Sequence, residues 1–489
     1  MAQIIRNPAW NETAPSRTKR TPKQKKGLIY LALAGGGVGA LGFEIGGLCA
    51  LERILNPSGS GHKPMLNDLL TGCQGVSAGS IVSSLLSVGF SPHTIRDVML
   101  EQSTAFPSLT RNALGTQPAA YLSLVEQFAK GLLRTVFAVV NGLVRLDLPM
   151  IWPFGQIKRP PKLSKDKGEY SYLQMLAKMI KLGALEQASV NNFIHNLLDT
   201  LEGGLYSSQG IGEYIREVIQ GYTDYTDSFK SLKKELFIYG AELNTSQVRV
   251  FGTHGEHLAY DLIDAPISKC VEVSCAIPAF FKPVYLSQTD KYYVDGGVIK
   301  SLHLQNLIDR INYVRPSQQV PAMILTFFPF VPPVYPAGKD YAQLSVLELL
   351  SFSLKMTYLE KFQTALRSYR HEEENNIYIQ IFKPSRHSRT ARTHPLQDIS
   401  KEHIAQLNYE GEVSVYRTFL NDYERLLKMF KNLGVDIAPR EEISLLLKTC
   451  RSYYGLATPT LEDVETDSSL PDLLIKKPKS QRKTKRATA

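Results

Sequence analysis

With 489 residues, 43% of them hydrophobic and 21% charged, the chain has an ordinary globular balance and length enough for a large core and about two to four domains. No uncharged apolar run reaches the roughly 20 residues that span a bilayer, and the N-terminal residues hold no apolar segment of the signal-peptide kind. The net charge of +10 belongs to the ends: fourteen Lys and Arg lie within residues 1–26 and 476–489 against a single acid, Glu12, and the body between them is slightly acidic.

Such ends lack the apolar content to pack, so 1–26 and 461–489 read as disordered basic tails. They suit solubility, attraction to anionic lipid headgroups, or a nuclear-type address in Lys476 to Arg486. The basic runs Arg17 to Lys26 and Lys476 to Arg486 carry no interleaved aromatics, so nucleic acid is not an expected partner. Five cysteines (Cys49, Cys73, Cys270, Cys275 and Cys450) are sparse and lack metal-ligand spacing, which predicts buried thiols in a reducing compartment. No metal or cofactor is expected, and the location is cytoplasmic or peripheral to a membrane.

In chain order, Gly27 to Ala34 reads as a buried strand, Gly35-Gly36-Gly37-Val38-Gly39 as a loop, and a helix follows from near Phe43 through Ile54. Asn67 to Val88 supplies a second strand and helix around Gly75-Val76-Ser77-Ala78-Gly79. Residues 104–206 read as a helical insertion or cap. Within it, Tyr121 to Arg145 is apolar at helical spacing, and Leu146 to Phe154, beside Lys158 and Arg159, suits core packing or a lipid-contacting lid. Strands follow at Glu235 to Ala241 and Val248 to Phe251, paired around Asn244-Thr245-Ser246. Tyr292 to Val294 is another, ending in Asp295-Gly296-Gly297, and Met323 to Phe328 is the last. Pro329 to Pro336 marks a boundary no helix can cross. Leu344 to about Tyr454 reads as amphipathic helix. Strands alternating with helices predict an α/β fold with a mainly parallel sheet. The expected domains are a catalytic unit at 27–335 and a helical C-terminal region at 336–460, membrane-targeting or regulatory.

A serine between two glycines at a strand-to-helix turn has the form of a nucleophile elbow, although the same string also makes plain turns. A serine hydroxyl needs a base, and its tetrahedral intermediate needs preorganised N–H donors. Gly35, Gly36 and Gly37 can aim consecutive N–H groups into one concavity at a helix start. A phosphate cradle is the alternative, but no Gly-Lys-Ser/Thr follows. Asp295 is the candidate base, since partial desolvation would raise its pKa toward neutrality; Asp-Gly is also ordinary hairpin chemistry. A Ser-Asp-His triad remains open through His371, His387, His394 or His403, all in charged surroundings.

The glycine loop Gly35 to Gly37, the elbow Gly75 to Gly79, the segment Ser274-Cys275-Ala276-Ile277-Pro278 through Val284, and Asp295-Gly296-Gly297 stand in one order across about 300 residues. Together they resemble the patatin-like phospholipases. The resemblance implies a three-layer α/β/α sandwich, a Ser77–Asp295 dyad, an oxyanion loop at Gly35 to Gly37, and hydrolysis of glycerophospholipid carboxyl esters in the manner of a phospholipase A. It implies a phospholipid membrane surface as partner. Bacterial toxin-like members add such C-terminal regions and act inside a host cell, which implies a host protein activator and export by a signal-peptide-independent route. The chain departs from the family where Val38-Gly39-Ala40 replaces the usual basic residue and glycine, and where Ser301-Leu302-His303 replaces an Asn and Pro. The altered loop also admits a non-hydrolytic membrane- or protein-binding module on the same fold.

Overall fold

The structure is a computed structural model that describes residues 27–56, 65–109, 204–253, 262–315, 317–330, 353, 356–364, 366, 369, 375–385, 400–454 and 456. Both expected tails, nearly all of the expected insertion with Tyr121 to Arg145 and Leu146 to Phe154, and the proline run after Phe330 lie outside these residues. Among the described residues no helix is long and apolar enough to cross a membrane, and all five cysteines are buried thiols.

The chain begins with β1 (Leu28–Leu33), α1 (Gly37–Ile54), α2 (Leu66–Leu69), β2 (Gly72–Gly75), α3 (Ala78–Ser87) and α4 (Pro92–Met99). From residue 204 onward come β3 (Gly204–Tyr206), α5 (Gln209–Tyr222), β4 (Glu235–Glu242), β5 (Gln247–Gly252), α6 (Ile267–Ser274), β6 (Ala279–Phe281), β7 (Val284–Leu286) and β8 (Lys291–Asp295). The remainder is α7 (Leu304–Val314), β9 (Ala322–Phe327), β10 (Ile377–Phe382), α8 (Lys401–Asn421), α9 (Tyr423–Asn432) and α10 (Arg440–Tyr453).

Eight of these strands form one sheet in the order β10-β9-β1-β2-β4-β8-β7, with β5 paired to β4. The pairings from β10 to β4 are parallel, and those of β5, β7 and β8 antiparallel. Strand periodicity divides the core. Ile29, Leu31 and Leu33 of β1 point into a cluster built with α1, α3, α4, α6 and α8, while Tyr30 and Ala32 point into a second cluster with α7. A parallel sheet covered on both faces is the layout the alternating pattern predicted.

Two expectations change. The first helix starts at Gly37, not near Phe43, because its glycine-rich opening hides the helical signal. The C-terminal span expected to be a helical region holds helices but also β10, whose Ile377, Ile379 and Ile381 alternate at the strand period and which pairs with β9 in the central sheet. Chain beyond the proline run therefore re-enters the same sheet.

It also re-enters the same core. α8 crosses α1 at backbone contact: a Cβ on Gly411 would stand 2.0 Å from the Phe43 carbonyl oxygen, and one on Gly46 would stand 1.9 Å from that of Asn408. Beside this crossing the fully buried Glu412 carboxylate accepts from Arg53 Nη1 at 2.7 Å and from the Tyr454 hydroxyl at 2.7 Å, with Arg96 Nη1 3.9 Å away. A buried carboxylate is tolerable only with such partners, and they come from α1, α4 and the residue after α10. Gly411→Ala is expected to force α8 away from α1 and cost about 2–3 kcal/mol, read as a lower urea midpoint; an unchanged midpoint would contradict the close crossing.

Candidate active site

Ser77 stands between β2 and α3 with φ 53° and ψ −124°, a combination that L-residues avoid and that stores about 1–3 kcal/mol. Its neighbours hold it there. The Ser77 N–H donates to Ser274 Oγ at 2.9 Å, and the Ser274 hydroxyl donates to the Tyr239 carbonyl at 2.7 Å. The Ser77 carbonyl accepts from the Ser80 hydroxyl at 2.6 Å and from the Ser80 N–H at 2.8 Å. The flanking glycines are required by contact: a Cβ on Gly79 would lie 2.6 Å from the Leu33 carbonyl oxygen, and one on Gly75 would lie 2.2 Å from that of Gly79.

Asp295 reaches the serine through strand topology. Phe237 and Ile238 of β4 pair with both β2 and β5, and Gly240 to Glu242 pair with both β5 and β8. β2 and β8 therefore share one edge of β4, arriving from opposite directions. β2 ends opposite Ile238 and β8 ends with Asp295 opposite Gly240, two residues or about 7 Å apart along β4. The two C-terminal ends meet head on, which sets the Ser77 hydroxyl near enough to the Asp295 carboxyl to favour its ionised form. Asp295 Oδ1 also accepts from the Gly297 N–H at 2.7 Å, which fixes the carboxylate plane.

One short segment supports both residues. Ser274 holds the Ser77 N–H, the Ala276 carbonyl accepts the Asp295 N–H at 2.9 Å, and Cys275 Sγ lies 3.8 Å from Ser80 Oγ between them. The glycine loop closes the other side. A Cβ on Gly35 would fall 2.9 Å from Ser77 Cβ, and Gly36 and Gly37 turn with φ of 149° and 63°, conformations that glycine accepts readily. Gly37 opens α1, so the loop's N–H groups sit where the helix dipole is positive.

Ser77 and Asp295 are each only 4% exposed. Burial pushes the Asp295 carboxyl up to about 7, against the lowering effect of the Ser77 hydroxyl and the Gly297 amide. A carboxylate poised there can accept a hydroxyl proton and return it near neutral pH. Among the described residues no three His, Cys, Asp or Glu side chains converge as a metal site requires.

A model of the family described as patatin-like phospholipase matches residues 31–308, more than half of the chain. The chain belongs to the patatin-like phospholipases. The match opens within β1 and ends within α7, so it contains the glycine loop, the elbow and the Asp-Gly-Gly turn. Among solved structures, VipD from Legionella pneumophila is similar at 13% identity and a TM-score of 0.30, over 88% of this chain and 74% of that one. Full-length ExoU from the type III secretion system of Pseudomonas aeruginosa, in complex with SpcU, is similar at 15% identity and a TM-score of 0.23. That alignment covers 72% of this chain and 53% of ExoU. The comparison with curated proteins finds no match.

Where patatin-like phospholipases usually place a basic residue and a glycine after the loop, Val38, Gly39 and Ala40 are buried in the first turn of α1. Of the histidines weighed for a triad, His371, His387 and His394 lie outside the described residues, and His403 sits in the first turn of α8 with its N–H on Ser400 Oγ. The histidine that sequence reasoning passed over is His303. It is buried, stacks on Tyr239 at 4.1 Å between ring centroids, and leaves Nε2 without a partner among the described residues. Burial, with Lys300 nearby, pushes it down to about 3, so it is neutral packing beneath the site. Ser274 and Ala276 were legible only as part of a motif; their hydrogen bonds to the backbone of Ser77 and Asp295 had no sequence signal.

Because folding raises the Asp295 carboxyl from 3.8 to about 7, the native state keeps a proton that the unfolded chain releases. Its contribution to stability falls as pH rises through that window and is lowest above it. Asp295→Asn, whose amide oxygen can still accept from Gly297, is expected to be more stable than wild type at pH 8 by roughly 2–4 kcal/mol. The advantage should vanish near pH 4. Thermal unfolding at both pH values checks this, and a wild type equally stable at pH 8 would contradict a buried ionised carboxylate.

Proposed function

We propose that this patatin-like phospholipase is a lipid acyl hydrolase of phospholipase A type, working through a Ser77–Asp295 dyad and an acyl-enzyme. The observation that carries the proposal is the head-on meeting of β2 and β8, which brings the strained Ser77 beside a buried carboxyl poised near 7. Asp295 takes the Ser77 proton as Oγ attacks the ester carbonyl. The anionic oxygen turns toward the N–H groups of Gly35 to Gly37, whose loop packs on the serine. Collapse of the intermediate breaks the bond to the alcohol, which leaves with the proton from Asp295. Water then attacks the acyl-enzyme with Asp295 again as base, and the proton returns to Ser77 as the fatty acid departs.

Glycerophospholipid is the substrate class that family membership favours, so a phospholipid membrane surface is the expected partner and the basic ends are suited to anionic headgroups. A host protein activator and entry into a host cell remain part of this proposal by resemblance to toxin-like members. Within the chain, 27–335 supplies the nucleophile, the base and the glycine loop, and we assign 336–460 a regulatory or membrane-targeting part.

Wild-type protein and Ser77→Ala incubated with mixed phospholipids should differ in free fatty acids and lysophospholipids seen by mass spectrometry. Wild type should release both in equal amounts, and Ser77→Ala neither. Identical product profiles would overturn the proposal.

A further inference from the structure

One polar side chain borders the dyad without a part in the mechanism above. Tyr358 lies in the helical stretch 356–364, beyond the last residue that matches the family. A carbon placed where a side chain on Gly297 would begin meets two polar atoms, Asp295 Oδ1 at 2.9 Å and the Tyr358 hydroxyl at 3.6 Å. The missing side chain of Gly297 leaves that space open. Carboxylate and phenol thus face one small space beside Ser77.

The phenol is held from both sides of the site. Its ring lies 5.1 Å from that of Phe330, whose Cζ comes within 3.4 Å of a Cβ position on Gly36 in the glycine loop. One turn further, Phe362 stacks on Phe328 at 3.7 Å, and Lys361 Nζ donates to the Ile299 carbonyl at 2.7 Å, just past the Asp-Gly-Gly turn. Tyr358 therefore spans from the glycine loop to the base. It is half-buried rather than sealed in the core. Burial and the neighbouring Asp295 charge push its titration upward, so the hydroxyl stays a donor at every working pH.

We propose that Tyr358 is a catalytic residue of this chain, its hydroxyl holding the leaving alcohol oxygen, and later the attacking water, in the space over Gly297 against Asp295. The inference rests on the Ser77–Asp295 reading. In acylation the bond from the carbonyl carbon to the alcohol oxygen breaks, the proton passes from Asp295 to that oxygen, and Tyr358 donates a hydrogen bond to it without losing its own proton. In deacylation the water oxygen takes the same place, gives its proton to Asp295 and bonds the carbonyl carbon as Ser77 Oγ departs.

Tyr358→Phe keeps the ring and removes only the donor. A hydrogen bond to developing charge is worth about 1.5–3 kcal/mol, or roughly tenfold or more in rate. For phosphatidylcholine in mixed micelles, kcat is expected to fall about tenfold or more with little change in KM. Labelling of Ser77 by a fluorophosphonate expels fluoride, which needs no proton, so its rate should stay within about twofold of wild type. A kcat also within about twofold, or labelling that slows in step with hydrolysis as a purely structural role requires, would overturn the proposal. A wild type that neither labels nor hydrolyses would instead sink the dyad reading, and the inference with it.

Discussion

The site depends on one edge of β4 serving two strands that arrive from opposite directions. β2 delivers Ser77 and β8 delivers Asp295, and the two ends stop two β4 residues apart. Side chains alternate along a strand, so a one-residue slip of β8 would turn Asp295 to the other face of the sheet. The register is held by buried Tyr293 and Val294 and by the Asp295 N–H on Ala276. Given that meeting, a buried carboxyl and a strained serine become partners, and each has a reason to persist only because its surroundings fix it. The positive φ of Ser77 is sustained by Ser274 and Ser80; the Asp295 carboxyl is raised by burial and held in place by the Gly297 N–H. Removing the charge is expected to stabilise the fold while removing the chemistry, a common trade at active sites.

The C-terminal part of the chain contributes to the same arrangement. α8 presses directly on α1, the helix whose first residue is Gly37 of the glycine loop. Glu412 ties that contact to Arg53, Arg96 and Tyr454, so a displacement of α8 would be felt along α1 toward the loop. The stretch 356–364 packs its aromatic residues over the other face, next to Gly36 and Gly297. Residues distant in sequence thus reach Ser77 and Asp295 from both layers of the fold.

Much of this was legible in the sequence, for identifiable reasons. The elbow was visible because a strained strand-to-helix turn demands small residues at fixed offsets from Ser77. Asp295 was visible because its turn carries two glycines at a strand end, and the parallel sheet because apolar runs alternate with helical ones. Other features had no local signal. The start of α1 was obscured by Gly37, Gly39 and Gly42, which weaken helix propensity, although Gly42 leaves room for Leu407 of α8. β10 was lost between helical stretches because six residues, with Ile alternating with Tyr378, Gln380 and Phe382, are too few to outweigh their flanks. Ser274, His303 and Tyr358 owe their places to tertiary contacts more than 50 residues away in sequence or to partners that a linear pattern cannot pair.

The central claim is that Asp295, with no histidine between, is the base for Ser77. The most direct test is the pH dependence of Ser77 labelling by a fluorophosphonate between pH 5 and 9, in wild type and in Asp295→Asn. The account predicts a wild-type rate that climbs about tenfold per pH unit below an inflection near 7 and is flat above it. It predicts Asp295→Asn labelling at least about a hundredfold slower, with that inflection gone. An inflection that persists in Asp295→Asn would assign the base to another group and contradict the account.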